Sequence, residues 1–260
     1  MNVKLDQKKI EQAIGLYRKG MTHQEIADLF GVSRVCILNA LKRNGIQSRP
    51  SGERKFFFDE NFFEKIDSEE KAYWLGFIYA DGSVNHKTYS LEIELSSIDK
   101  DHLRKLASII KYDGEIDETR QGKACRIRLH SRKLALDLRN LGVVKSKSDR
   151  LVEPVLDESL RIHFWRGVFD GDGWFGISDR KSVGFASISK AFSEAFKHFV
   201  EKKSEASKAT VLQRKQKSGK IMYQIVFEGT MQIESVKDFY IDAKVFLDRK
   251  NLSAKSSVYR

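Results

Sequence analysis

The stretch "WLGFIYADGS" (residues 74–83) closes an apolar, helix-like run with an acid followed by glycine, and "WRGVFDGDGW" (residues 165–174) does so again. Both read Trp, any residue, Gly, two apolar residues, any residue, a small residue, then Asp-Gly. Such self-similarity marks an internal repeat. The small residues in each copy stand four apart, Gly76 with Ala80 and Gly167 with Gly171. On a helix that spacing puts both on one face and lets two backbones approach closely. If the two helices pack on each other, Asp81 and Asp172 arrive together at their C-terminal ends. A carboxylate there opposes the helix dipole by roughly 0.3–1 kcal/mol, and two neighbouring carboxylates resist joint ionisation. A hard divalent cation relieves both problems. Asp carboxylates and helix-end carbonyls, here those of Ala80 and Gly171, are oxygen ligands that suit Mg²⁺. Gly82 and Gly173 are expected to supply the positive φ that leaves the helix.

The segments downstream of the two copies repeat as well. After the first, "YSLEIELSS" alternates Leu91, Ile93 and Leu95 against polar residues, as a half-buried strand does. "DKDHLRKLASIIK" is an amphipathic helix, "ACRIRLHS" a second strand, and "SRKLALDLRNLGV" a helix ending at Gly142. After the second, "VGFASIS" is a strand, "SKAFSEAFKHFVEK" a helix, and "ATVLQRKQKSGKIMYQIVFEG" a hairpin turning at Ser218-Gly219. "TMQIESVKDFYIDA" closes the unit as a helix. The fold class is therefore α+β: a duplicated α-β-β-α-β-β-α unit over residues 68–260, with halves 68–153 and 154–260.

Charge and pattern set the N-terminal region apart. The chain has 260 residues and a formal charge of +11, which favours a polyanionic partner. Residues 1–55 hold eleven Lys and Arg against five Asp and Glu, so over half the net charge sits in about a fifth of the chain. A first helix carries Ile10, Ala13, Ile14 and Tyr17 on one face and stops at Gly20. Thr22 with Glu25 is a capping box opening a second helix with Ile26, Ala27 and Leu29. Gly31 permits a turn. Ser33 then caps a third helix holding Val35, Ile37, Leu38 and Leu41. This arrangement resembles the helix-turn-helix modules of resolvases, invertases and transposases. By that resemblance residues 1–50 form an all-α DNA-binding domain whose third helix enters the major groove, presenting Arg34, Asn39, Lys42 and Arg43. Residues 51–67, beginning with Ser, Gly and charged residues after Pro50, read as a linker.

The pair Trp74–Gly82 and Trp165–Gly173, with matching units behind them, resembles the two motifs of a single-chain LAGLIDADG homing endonuclease. That resemblance implies a pseudo-symmetric monomer whose motif helices form the central interface and whose sheets sit as a saddle on double-stranded DNA with a long specific site. It also implies that Asp81 and Asp172 hold divalent metal (Mg²⁺ or Mn²⁺), each serving one strand. Basic catalytic residues fall near the end of each half: Lys250 in "FLDRK", and Lys147 in "VVKSKS" with Lys145 as competitor. Tyr79 departs from the motif where Asp170 keeps its first acid. On the strands, Arg126 and Arg128, with Gln213 and Gln224 in the second half, are the candidate base readers; Glu92 and Glu94 have no evident role in binding.

The function implied is site-specific double-strand DNA cleavage by metal-dependent phosphodiester hydrolysis. A non-cleaving transcription regulator on the same scaffold and an intron RNA maturase are the alternatives. Retention of both acids and Lys250 favours cleavage, since a pure binder needs none of them. No apolar run is long enough to span a bilayer, and "MNVKLDQKKIEQ" lacks a secretory core. Cys36 and Cys125, far apart and outside any CxxC, read as reduced buried thiols. The expected location is intracellular: the cytoplasm of a bacterial or phage-infected cell, or an organelle.

Overall fold

The computed structural model describes residues 5–18, 21–48, 56–143, 150–176, 182–203, 208–228 and 230–255. Lys145 and Lys147, the helix stop at Gly20, and Pro50 with the first part of the expected linker lie outside them.

The N-terminal helices are α1 (Gln7–Arg18), α2 (His23–Phe30) and α3 (Arg34–Arg43). The Thr22 hydroxyl accepts from the Glu25 amide and the Glu25 carboxylate accepts from the Thr22 amide, so the capping box forms; Gly31 takes φ 62° at the turn. Ala13, Tyr17, Ile26, Ala27, Ile37 and Leu41 form a small core of their own. Leu29 and Val35, expected on the apolar faces, are instead 61% exposed. They fall off the stripes that Ile26 and Ile37 set, since an apolar residue counts toward a core only within the roughly 100°-wide face. Cys36 is only half-buried, whereas Cys125 is buried; both are free thiols.

The duplicated unit is complete. Its first half runs α4 (Glu69–Asp81), β1 (Gly82–Asn85), β2 (Ser90–Ser96), α5 (Lys100–Ile109), β3 (Asp117–Thr119), β4 (Ala124–His130) and α6 (Arg132–Asn140). Its second half runs α7 (Glu158–Asp172), β5 (Gly173–Gly176), β6 (Ser182–Ser187), α8 (Lys190–Lys203), β7 (Thr210–Lys215), β8 (Ile221–Glu228) and α9 (Thr230–Lys237), with α10 (Asp248–Lys255) after it. Each half forms a four-stranded antiparallel sheet with the same order, β1-β2-β4-β3 and β5-β6-β8-β7. One apolar cluster runs through both halves, from Trp74 and Phe77 to Trp165, Phe169 and Phe196.

Residues 56–67, expected as linker, are part of that core. Phe58, Phe62 and Phe63 are buried in it. The Phe57 amide donates to the Asp113 carboxylate, the Asp59 amide to the Ile110 carbonyl, and the Ser131 hydroxyl to Glu60. The aromatic residues of "FFFDENFF" follow neither a helical nor a strand period, so no element was legible there.

Candidate functional site

Helices α4 and α7 meet backbone to backbone. A Cβ placed on Gly76 would lie 2.0 Å from the Phe164 carbonyl oxygen, and one on Gly167 would lie 2.0 Å from the Tyr73 carbonyl oxygen. The reciprocal contact is the pseudo-two-fold axis at the level of single atoms. The same closeness persists to the helix ends. A Cβ on Gly171 would lie 2.4 Å from the Ala80 Cβ and 3.1 Å from the Asp81 Oδ2, so the Asp81 carboxylate lies against the last turn of the opposite helix. Asp81 and Asp172 are both exposed, although the turns preceding them are buried.

Gly82 and Gly173 do not leave their helices through positive φ. They sit at φ −81° and −83° with extended ψ, each opening a strand paired with Ile93 or Phe185. Glycine is required there by space. A Cβ would meet the Ile78 carbonyl oxygen at 2.7 Å in the first copy and the Phe169 ring at 2.2 Å in the second.

Lys250 is buried beside this end of the pair. Its ammonium donates to the Gly173 carbonyl and lies 5.4 Å from the Phe169 ring centroid. Burial, with the Arg249 charge nearby, pushes it down to about 8 against the pull of Asp170, Asp81 and Asp172. The segment carrying it is tied down almost residue by residue. Arg166, itself buried, donates to the carbonyls of Val245 and Phe239 at 2.9 Å and to Glu69 at 2.6 Å. Lys105 donates to the Phe246 carbonyl and to Asp248. The Leu247 amide donates to Asp170 at 2.6 Å, and Arg249 pairs with Asp99 at 3.1 Å.

Asp170 organises a buried polar network. Besides the Leu247 amide it accepts from the Tyr73 hydroxyl (2.7 Å) and the Tyr240 hydroxyl (2.6 Å). Burial raises its carboxyl to about 6, opposed by those three hydrogen bonds and by Arg166. His102 Nε2 stands 3.0 Å from the Tyr73 oxygen. Because the Tyr73 proton is committed to Asp170, Nε2 carries the imidazole proton and donates. Tyr79, where the first copy departs from the motif, donates to the Leu141 carbonyl at 2.5 Å. Arg166, Tyr73, Tyr240, Lys105, Asp99 and Glu69 were not singled out by sequence, and Asp170 only as a motif position. The one available sign was an Arg and an Asp inside the otherwise apolar run Phe164–Gly171.

The strand candidates separate into three cases. Arg126 and Arg128 lie on the face of the first sheet away from its core, but they are not bare. Arg128 Nε donates to Glu92 at 2.7 Å, and Arg126 lies 3.6 Å from Asp117 and 3.9 Å from Glu92. Glu92 and Glu94, which looked unhelpful, are their cross-strand partners. Gln224 lies on the corresponding outer face of the second sheet. Gln213 does not: it stands opposite Tyr223 and lines a cleft against Lys190, Lys197 and His198 of α8. A one-residue difference in register reverses the face, so Gln213 and Gln224 do not act together. On α3, Arg34, Asn39, Lys42 and Arg43 are all exposed.

Among the described residues no group of three or more His, Cys, Asp and Glu gathers as a metal cage. The oxygen donors at the helix ends are two exposed carboxylates and helix-end carbonyls, a set that fits a hard divalent ion completed by water and phosphate. Residues 159–239 match the model of the LAGLIDADG-like domain. This part of the chain is similar to a LAGLIDADG-like domain. Residues 3–38 match the helix-turn-helix domain of resolvase. Among solved structures, the LAGLIDADG homing endonuclease I-GzeII, in complex with its DNA target, is similar at 13% identity over 70% of this chain and 87% of its own, with a TM-score of 0.48. Variants of the homing endonuclease I-DmoI match at 15% identity over 75% and 98%, TM-score 0.48. I-WcaI bound to its DNA recognition sequence matches at 10% over 81% and 96%, TM-score 0.47. No curated protein sequence matches. The LAGLIDADG-like match covers α7 through α9, and the same element order and strand pairing recur from α4 to α6. No helix among the described residues is long and apolar enough to cross a membrane.

Proposed function

We propose that the chain is a site-specific DNA endonuclease that cuts both strands of a duplex, one per helix-end aspartate. The observation that carries this reading is the convergence of Asp81 and Asp172, exposed at the ends of a glycine-packed helix pair, with a buried lysine that feels both charges. A structural Asp-Gly turn needs neither the second acid nor the lysine. Asp81 and Asp172, with the Ala80 and Gly171 carbonyls, would hold Mg²⁺ or Mn²⁺. When bound, the ion supplies Lewis acidity at phosphoryl oxygens and at the attacking water. Lys250 faces the charge that grows on the phosphate, and its tethered segment keeps it there without reorganisation. Lys147, or Lys145, is the proposed counterpart in the first half. The proposed organisation is a helix-turn-helix module within residues 1–50 and a nuclease domain to residue 260, acting as a monomer on double-stranded DNA. Arg34, Asn39, Lys42 and Arg43 would approach a major groove from α3; Arg126, Arg128 and Gln224 would do so from the sheets.

Purified protein with Mg²⁺, incubated with a randomised duplex library, should release ends of defined sequence. Asp81→Asn and Asp172→Asn should each abolish double-strand cutting while retaining gel-shift binding to the selected site. Normal double-strand cutting by either variant would remove that acid from the site. Binding without cutting by the native chain would favour the regulator.

A further inference from the structure

The two sheets are built on one plan but present chemically opposite outer faces. Cross-strand partners in an antiparallel sheet share a face, so the register assigns each face. In the first sheet Ile93, Ile127, Leu91 and Leu129 face the core, leaving Ser83, Glu92, Glu94, Arg126, Arg128 and Asp117 outside. In the second, Phe185, Ile225, Val183 and Phe227 face the core. Superposing the registers through Gly82↔Ile93 and Gly173↔Phe185 puts Trp174 where the first sheet has Ser83, and Gly184 where it has Glu92. Val226 replaces Arg128, Gln224 replaces Arg126, and Leu212 replaces Asp117. An ion-paired lattice has become a largely apolar platform with Gln224 as its polar member.

That platform is constructed. A Cβ on Gly184 would lie 2.2 Å from the Trp174 ring, so glycine there lets the indole lie over the strand. Trp174, Met222 and Val226 remain half-exposed and Leu212 is 40% exposed. The surface begins two residues after Asp172 and ends at a hairpin carrying Arg214, Lys215, Lys217 and Lys220. An apolar face rimmed by cations and continuous with the candidate cleavage site fits a polyanion whose readable edge is itself apolar. In the major groove that edge is the 5-methyl of thymine.

We infer that the second sheet reads its half of the DNA site through thymine methyl groups contacted by Trp174, Leu212 and Val226, whereas the first sheet reads by charge and hydrogen bonding. The inference rests on the nuclease reading above. It assigns the two halves of one target different chemistries, with thymine methyls required in one of them only.

The test uses the full-length protein and a duplex selected from a randomised library. An iron chelate on Lys217→Cys, in a Cys36→Ser background, marks by strand scission which half-site lies under the second sheet. Thymines are then replaced by uracil, which removes only the methyl, in one half-site at a time. Uracil in the marked half should weaken binding roughly fourfold per contacted methyl, which is about 0.8 kcal/mol each. The other half should change less than twofold. The double variant Leu212→Ser, Val226→Ser should lose most of the uracil penalty and keep only the share contacted by Trp174, and its retained affinity for the uracil duplex reports that it is folded. Equal uracil penalties in both halves, no penalty in the marked half, or a selected half-site without thymine would overturn the inference while leaving the nuclease reading intact. Failure to select any duplex would overturn that reading and this inference with it.

Discussion

At the scale of single residues, the glycines of the motif helices differ in kind. Gly76 and Gly167 each touch a carbonyl of the opposite helix, so a methyl group has nowhere to go without separating the backbones. Gly76→Ala or Gly167→Ala should destabilise by about 3 kcal/mol or more, despite alanine's better helix propensity; urea unfolding measures this. Gly15 in α1 has nothing within 4 Å of its would-be Cβ. Gly15→Ala should accordingly stabilise the helical module by about 0.5–1 kcal/mol. The four-residue spacing was legible because helical periodicity alone puts such residues on one face. The conformation of Gly82 and Gly173 was not. Asp-Gly after a helix is compatible with a left-handed exit or an extended one, and pairing with Ile93 and Phe185 on distant strands decides between them.

At the scale of elements, Asp170 joins α4, α7 and the segment leading into α10 through three hydrogen bonds. Its partners lie 70 to 97 residues away in sequence, which is why a local pattern could name Asp170 as a motif position without finding its role. The network makes a pH prediction through His102, which burial holds down to about 3. Between pH 6.5 and 3 the unfolded chain binds a proton that folded His102 refuses. Its contribution is therefore complete above pH 6.5 and is lost as pH falls, by roughly 3 kcal/mol at pH 4. Asp170, raised to about 6, has the opposite slope below that value, so the informative quantity is a difference. His102→Gln should show a flatter loss of stability from pH 6.5 to 4 than the native chain, measured by denaturant titration at each pH. The tethered segment makes a second prediction. Lys250→Met should reduce cleavage by about 100-fold or more and leave gel-shift affinity within a few-fold, read by single-turnover cleavage of the selected site.

At the scale of the whole molecule, Phe58, Phe62 and Phe63 belong to the core of the duplicated unit, so the connection to the helical module is shorter than the sequence implied. From Ser48 to Phe56 the chain reaches about 29 Å at full extension, less than one turn of B-DNA. The helix-turn-helix should therefore contact the turn adjoining the nuclease footprint. Removing residues 1–50 should weaken binding through lost effective concentration and shorten the footprint on one side only, with cleavage at the same bonds at high protein concentration. Identical footprints would assign the module a different role. The duplication and the basic N-terminal module were legible because repeats and charge accumulate over many residues. The opposed chemistry of the two outer faces was not, because it depends on register. The contact between Gly76 and Gly167 has a further consequence in time. The end of α4 leaves the ribosome 91 residues before the end of α7, roughly 5–20 s at ordinary rates of synthesis. Throughout that interval Tyr73 and Phe77 lack the helix that covers them, and Lys250 is still to be made. The nascent first half is thus a waiting surface, and the halves must find each other late, within one chain, before another chain's half does.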